Sequence, residues 1–172
     1  MGKRSKKIVT AGLFISLLAA VLAPAHGGVD MAHAAASNTQ SLAAVYARIQ
    51  TENASQVVAL VNKERVAAGL KPLVVHTNLT KMAKTKAIDM FKSNYFDHYS
   101  PKYGSPFDMM DASNITFTYA GENIARGQRS AKEAVKDWMN SPGHKANILN
   151  PNYKLIGVGY YNGYWVQEFI GK

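Results

Sequence analysis

Apolar positions along the chain fall first into helical spacing and then into strand-like alternation. Over residues 53–68, Val57, Val58, Leu60, Val61 and Val66 recur at the intervals of one buried helix face. Gly69 and Pro72 follow, so this helix is expected to stop at a C′ glycine. Residues 73–75 read as short and extended. A second stripe, Leu79, Met82, Ala83, Ala87, Met90 and Phe91, predicts a helix capped by Thr77 or Asn78 and running to about Ser93. Lys81, Lys84, Lys86 and Lys92 form its solvated side, and His76, just before the cap, reads as a surface residue. Residues 95–104 are an aromatic-rich loop holding His98. Ser105-Pro106 opens a short helix to about Ala112, residues 115–119 are β-prone, and residues 121–125 follow as a loop in which Asn123 reads as a turn residue.

Residues 130–149 read as two helices with a break. Ser130 and Glu133 form a capping-box pattern, and Ala134, Val135, Trp138 and Met139 are the apolar residues after it. Ser141-Pro142 restarts the chain as N-cap and N1 proline, with the Ser141 hydroxyl expected on a backbone amide. His144 then lies in the first turn of the second helix, where the positive end of the helix dipole favours a neutral imidazole. Residues 155–161 and 164–170 alternate around Asn162-Gly163, a type I′ hairpin signal. Helices followed by a hairpin predict an α+β layered domain, because the hairpin's apolar alternation needs helices to cover it.

The ends and the composition set limits on class. Lys3, Arg4, Lys6 and Lys7 precede an apolar run over residues 8–23, and two A-x-A sites follow, the pattern of a secretory signal. The expected organisation is a signal peptide at 1–34, a leader or linker with some helicity at 35–52, and one domain at 53–172. Cleavage after Ala25 and an uncleaved anchor are the alternatives. Removing residues 1–34 takes away four of the 20 basic and one of the 11 acidic residues, which leaves a net charge of +6. That excess is spread without a run, so it suits an anionic surface and gives no nucleic-acid motif. The chain has no cysteine, so the domain is held by its core alone. Nothing after the leader is long and apolar enough to cross a membrane.

Five segments, NKERVAAGLKPL (62–73), FDHYSP (96–101), AGENIA (120–125), AVKDWMNSPGHKANIL (134–149) and IGVGYYNGYWVQEF (156–169), follow one another as in the CAP superfamily. This superfamily joins cysteine-rich secretory, antigen 5 and pathogenesis-related 1 proteins, also called SCP-like. The chain resembles its small extracellular bacterial branch, which lacks the cysteines, over residues 54–170. The resemblance implies a three-layer α-β-α sandwich with a central antiparallel sheet. It also implies a cleft lined by histidines and acidic residues, at which several members hold zinc or another divalent cation.

The matching cleft positions are His98, Glu122 and His144, and these three are the metal ligands that the resemblance implies. Plant and animal members carry a second glutamate three residues after the tryptophan, where this chain has Ser141. Glu133 stands instead in the capping-box position, so a helix cap is its expected role against a cleft role. Two imidazoles and a carboxylate would meet the ligand count of an open zinc site only if Glu122 faces the metal. As the partner of a histidine, it would orient that ring instead. The expected function is a secreted, cell-surface binding protein whose cleft takes a divalent ion or a small polar ligand. Its partner would be a cell-wall polymer or an extracellular protein. The alternatives are a metal-assisted hydrolase of extracellular peptide or glycan and, last, a lipid or sterol carrier. Neither G-x-S-x-G nor H-E-x-x-H occurs.

Overall fold

The computed structural model describes residues 27–172, with side-chain surroundings from residue 39 onward. Most of the expected signal segment, residues 1–26, lies outside the described residues. The chain divides into two units, Met1–Thr39 and Gln40–Lys172. In the first, the described residues are helical. The second contains every strand and the three apolar clusters.

Helix α1 is Gly27–Ala67, so the expected leader and first helix are one element. Leu42, Val45, Tyr46 and Ile49 have helical spacing, and all four are exposed. Among the stripe predicted further along, Val57 and Val61 are fully buried whereas Val66 is exposed, so the buried face is narrower than expected. Gly69 ends the segment at φ 76°, the left-handed conformation that a C′ glycine adopts without strain.

Strand β1 is Val74–Val75 and helix α2 is Thr77–Lys92. The cap of α2 is His76, whose Nδ1 accepts the Leu79 N–H at 3.2 Å, in place of the Thr77 or Asn78 expected. Helix α3, Pro106–Ala112, starts at the predicted Ser105, which forms a reciprocal capping box with Asp108. Strand β2 is Tyr119–Arg126, helices α4 and α5 are Ala131–Asn140 and Pro142–Ile148, and strands β3 and β4 are Leu155–Tyr161 and Tyr164–Gly171. Asn162 (φ 43°) and Gly163 (φ 82°) make the hairpin turn as predicted.

The four strands form one sheet in the order β1-β3-β4-β2. All pairings are antiparallel except the two-residue pairing of β1 with β3, so the central sheet is mixed at one edge. One face carries α1, α4 and α5, through Val57, Val61, Ala134, Trp138 and Ile148 against Ala125, Ile156, Trp165 and Phe169. The other carries α2 and α3, through Leu79, Met82, Ala83, Met90 and Met110 against Ile124, Val166 and Ile170. Both faces are covered, which is why every residue of β4 is buried and the layers are α-β-α. Gly157 and Gly159 allow the close approach of α2: a Cβ at either position would run into the backbone at Leu79 or Ala83.

Residues 121–125 are the middle of β2 and not a loop. Their alternation was hidden because this edge strand buries polar side chains on both faces, Glu122 on one and Asn123 on the other. The outer carbonyls of β2 are capped by side chains. Tyr153 Oη donates to Ala120 O at 2.9 Å, Asn147 Nδ2 to Glu122 O at 3.1 Å and Trp138 Nε1 to Ile124 O at 3.1 Å. These bonds blunt the edge and fix α4 and α5 beside it. Among the described residues, no helix is long and apolar enough to cross a membrane.

Candidate functional site

The loop carrying His98 is held from beneath by α2. Lys86 Nζ donates to the His98 carbonyl at 2.6 Å. Asp89 accepts Tyr95 Oη at 2.5 Å and Ser100 Oγ at 2.7 Å, and Ser100 Oγ accepts the N–H groups of Lys102 and Tyr103. Lys86 was expected on the solvated face, yet it is fully buried. Its place at the spacing of Leu79, Ala83 and Met90 is the helical signal that could have found it. Burial pushes the Lys86 ammonium pKa down, while the nearby Glu122, Glu168 and Asp89 carboxylates oppose that fall.

Glu122 reaches the same loop from β2. Its Oε1 lies 2.5 Å from His98 Nδ1, with the glutamate side chain 3% exposed and the imidazole 55% exposed. A buried carboxylate thus fixes a half-exposed ring at Nδ1, and Nε2 has no hydrogen bond among the described residues. The hydrogen bond to Glu122 raises the His98 pKa, and burial opposes that rise.

Directly across the sheet from Glu122 stands Glu168, fully buried, at the position the strand register makes its cross-strand neighbour. Among the described residues, neither Glu168 oxygen nor Glu122 Oε2 meets a protein donor. Burial raises the Glu168 pKa well above the ordinary carboxyl value, helped by the neighbouring Glu122 carboxylate, and only Lys86 opposes it. A proton on Glu168 supplies the missing donor toward Glu122. Sequence reasoning missed Glu168. The signal was its parity with Tyr164, Val166 and Ile170, which puts an acid on an apolar face.

His144 comes from the other layer. It occupies the first turn of α5, as expected, and is half-buried. Asn123 Nδ2 donates to His144 O at 3.0 Å and to Gln167 Oε1 at 3.0 Å, and Asn147 Nδ2 donates to Asn123 Oδ1 at 2.9 Å. Asn123 is therefore a fully buried tie between β2, β4 and α5, in place of the turn residue expected. Burial lowers the His144 pKa, and the charge of His98 lowers it further.

Ser141 is the N-cap of α5, but its hydroxyl makes no capping bond, contrary to expectation. Glu133 sits exposed at the start of α4, and its Oε2 accepts the Arg129 N–H at 2.9 Å. The Ser130 hydroxyl accepts the Glu133 N–H as predicted, while the glutamate reaches one residue beyond Ser130. At the β2 edge His98 is thus joined to Glu122, the His144 backbone is tied to Asn123, and Glu133 is engaged elsewhere.

The opposite shifts predict two separated histidine titrations. His98 should titrate above the ordinary value of 6.5 and His144 below it. The His98–Glu122 contact contributes its full stability below the ordinary value and loses it as pH rises through the raised one. His144 acts in the opposite sense, resisting protonation in the fold and subtracting stability as pH falls below 6.5. Histidine-ring NMR of Glu122→Gln is expected to show His98 moving down toward the ordinary value. An unmoved His98 would contradict the pairing.

The expected three-ligand metal set does not fit this arrangement. Among the described residues, no group of three or more His, Cys, Asp or Glu side chains could hold a metal ion. Glu122 Oε1 is committed to His98 Nδ1, which leaves two imidazoles where an open zinc site takes three protein ligands. A cavity of about 340 Å³ and another of about 370 Å³ lie elsewhere and are lined by none of the three residues.

Comparison with known proteins converges on one group. Residues 58–169 match the family model for CAP, the cysteine-rich secretory protein family. The protein YkwD of Bacillus subtilis is 56% identical over 119 residues, 68% of this chain and 46% of its own length. The membrane protein YlbC of the same organism is 38% identical over 125 residues, 73% of this chain and 36% of its own. The chain therefore spans less than half the length of these curated relatives. An extracellular protein containing an SCP domain from Bacillus anthracis superposes with a TM-score of 0.73 at 34% identity, covering 74% of this chain and 43% of that one. An outer surface protein of Borrelia burgdorferi shares the fold, with a TM-score of 0.62 at 22% identity over 67% of this chain and 89% of that one. With the family model spanning most of the α-β-α domain, the chain belongs to the CAP, or cysteine-rich secretory protein, family.

Proposed function

We propose that the chain is an exported binding protein that takes a small polar ligand, such as a group of a cell-wall polymer, between His98 and His144 at the β2 edge. The observation that carries this reading is the contact of the buried Glu122 carboxylate with the half-exposed His98 ring. A ring fixed at Nδ1 presents Nε2 in one orientation, with little entropy left to lose on binding. Its raised pKa makes Nε2 a charged donor over a wider pH range. The lowered pKa of His144 keeps that ring neutral, able to donate at one nitrogen and accept at the other. Such a pair is complementary to a ligand bearing both a carboxylate and hydroxyl or amide groups. Export is supported by the N-terminal pattern and by the names of an extracellular and a surface protein among the structural neighbours.

Calorimetric titration with soluble wall peptide–glycan fragments tests the reading on the wild type, His98→Ala and His144→Ala. Each substitution is expected to weaken binding by about tenfold or more, the loss of one charge-assisted or buried hydrogen bond. Equal affinity in all three proteins would overturn it. Micromolar zinc binding lost in both variants would replace the organic ligand with a metal held by two imidazoles. Fragment cleavage lost in both variants would make the same cleft that of a hydrolase.

A further inference from the structure

A second site lies at the opposite edge of the sheet, away from the histidines. Strand β3 has seven residues, Leu155–Tyr161, but its outer neighbour β1 pairs only with Leu155 and Ile156. The Ile156 carbonyl faces that edge, where it accepts the His76 N–H at 2.9 Å. Backbone groups of alternate residues point the same way, so those of Val158, a buried residue, and of the half-buried Tyr160 point to that edge where β1 has ended. No hydrogen bond covers them among the described residues.

What faces them is a cavity of about 340 Å³, within the size of small-ligand pockets. Its walls include Ala54 and Val58 of α1, Val75 at the end of β1, and Thr80 and Lys84 of α2. Thr80 Oγ1 is buried there without a hydrogen-bond partner. Lys84 is the one charged side chain among the described lining residues. Gly157 lies against Leu79 and Thr80, and Gly159 against Ala83 and Lys84, so Lys84 stands at the Tyr160 end of the slot.

We propose that this unpaired edge of β3 takes the C-terminal tripeptide of an extended partner chain as an added strand, parallel to β3, with its free carboxylate on Lys84. Unpaired N–H and C=O groups at strand spacing are met by extended backbone, as in strand-addition recognition. Three residues span about 10 Å, matching the three β3 residues Val158, Gly159 and Tyr160 that line the cavity. A strand continuing the line of β1 runs parallel to β3, which delivers its C-terminus to Lys84. The cation there complements a carboxylate. Close packing of Gly159 on α2 favours small side chains in the partner.

The test is amide NMR on the full ¹⁵N-labelled chain, titrated with acetyl-Ala-Val-Ala carrying a free carboxylate and with its C-terminal amide. The free acid is expected to shift the Val158 and Tyr160 amides. Amidation, Lys84→Glu and Ser55→Trp should each weaken it by about tenfold or more. Ser55 is an exposed slot residue of α1, so tryptophan there blocks the cavity without entering the core. Its otherwise unchanged amide spectrum would show the fold intact. No shift at Val158 and Tyr160, equal binding of the amide, or undiminished binding by Ser55→Trp would overturn the proposal.

Discussion

Arg65→Met is expected to destabilise the domain by about 3 kcal/mol, and Arg65→Lys by about 2 kcal/mol, in urea unfolding at pH 7. Arg65 is 2% exposed and donates to four carbonyls: Lys71 at 3.0 Å, Ile148 at 2.8 Å, Asn150 at 2.9 Å and Tyr153 at 3.4 Å. Ile148 is the last residue of α5, so the guanidinium meets the negative end of that helix as well as its unpaired carbonyls. Methionine keeps the apolar stem but strips donors from groups that water reaches poorly. Lysine keeps the charge, yet one ammonium cannot span carbonyls that a planar fork reaches from several sides. The segment released follows the helix that carries His144. Wall-fragment affinity should therefore fall along with stability. An unchanged midpoint for Arg65→Met would show that the four bonds contribute nothing net.

Arg65 also marks where sequence reading stops. Periodicity located Val57 and Val61, the hairpin around Asn162-Gly163 and the Ser105 and Ser130 caps, because each rests on neighbours in the chain. Motif order pointed to His98, Glu122 and His144, of which the fold joins His98 to Glu122 and ties the His144 backbone to Asn123 beside it. What local spacing could not supply is the effect of covering a sheet on both faces. That covering turned residues 121–125 from a polar loop into a strand, and took Lys86 and Arg65 out of solvent. It also set Glu122 opposite Glu168, two residues separated by 46 positions and joined only by strand register. Long charged side chains are ambiguous in sequence, since their stems suit an apolar face and their heads need a partner that only the fold reveals.

The second large effect is expected at Lys86. Lys86→Met should cost about 3–5 kcal/mol, because it leaves buried carboxyl groups without their cation and the His98 carbonyl without its donor. Glu168→Gln should act in the opposite direction. The folded chain retains a Glu168 proton that the unfolded chain gives up above the ordinary value of 4.5. Stability is thus lost as pH rises above that value, at up to about 1.4 kcal/mol per unit until the raised native pKa is reached. Glutamine mimics the protonated acid, donating toward Glu122 without a proton to lose. The variant is expected to match wild type near pH 4 and exceed it at pH 8. The two changes should also couple. Above the raised Glu168 pKa, where that acid is ionised in the wild type, Lys86→Met should cost less by about 1–2 kcal/mol with Glu168→Gln in place, since one of the charges it balances is gone. Equal costs in both backgrounds would mean that Lys86 serves the His98 loop alone, with Glu122 and Glu168 settling their charge by the shared proton. A smaller cost would make Lys86, Glu168 and Glu122 one buried unit whose exposed end is the His98 ring.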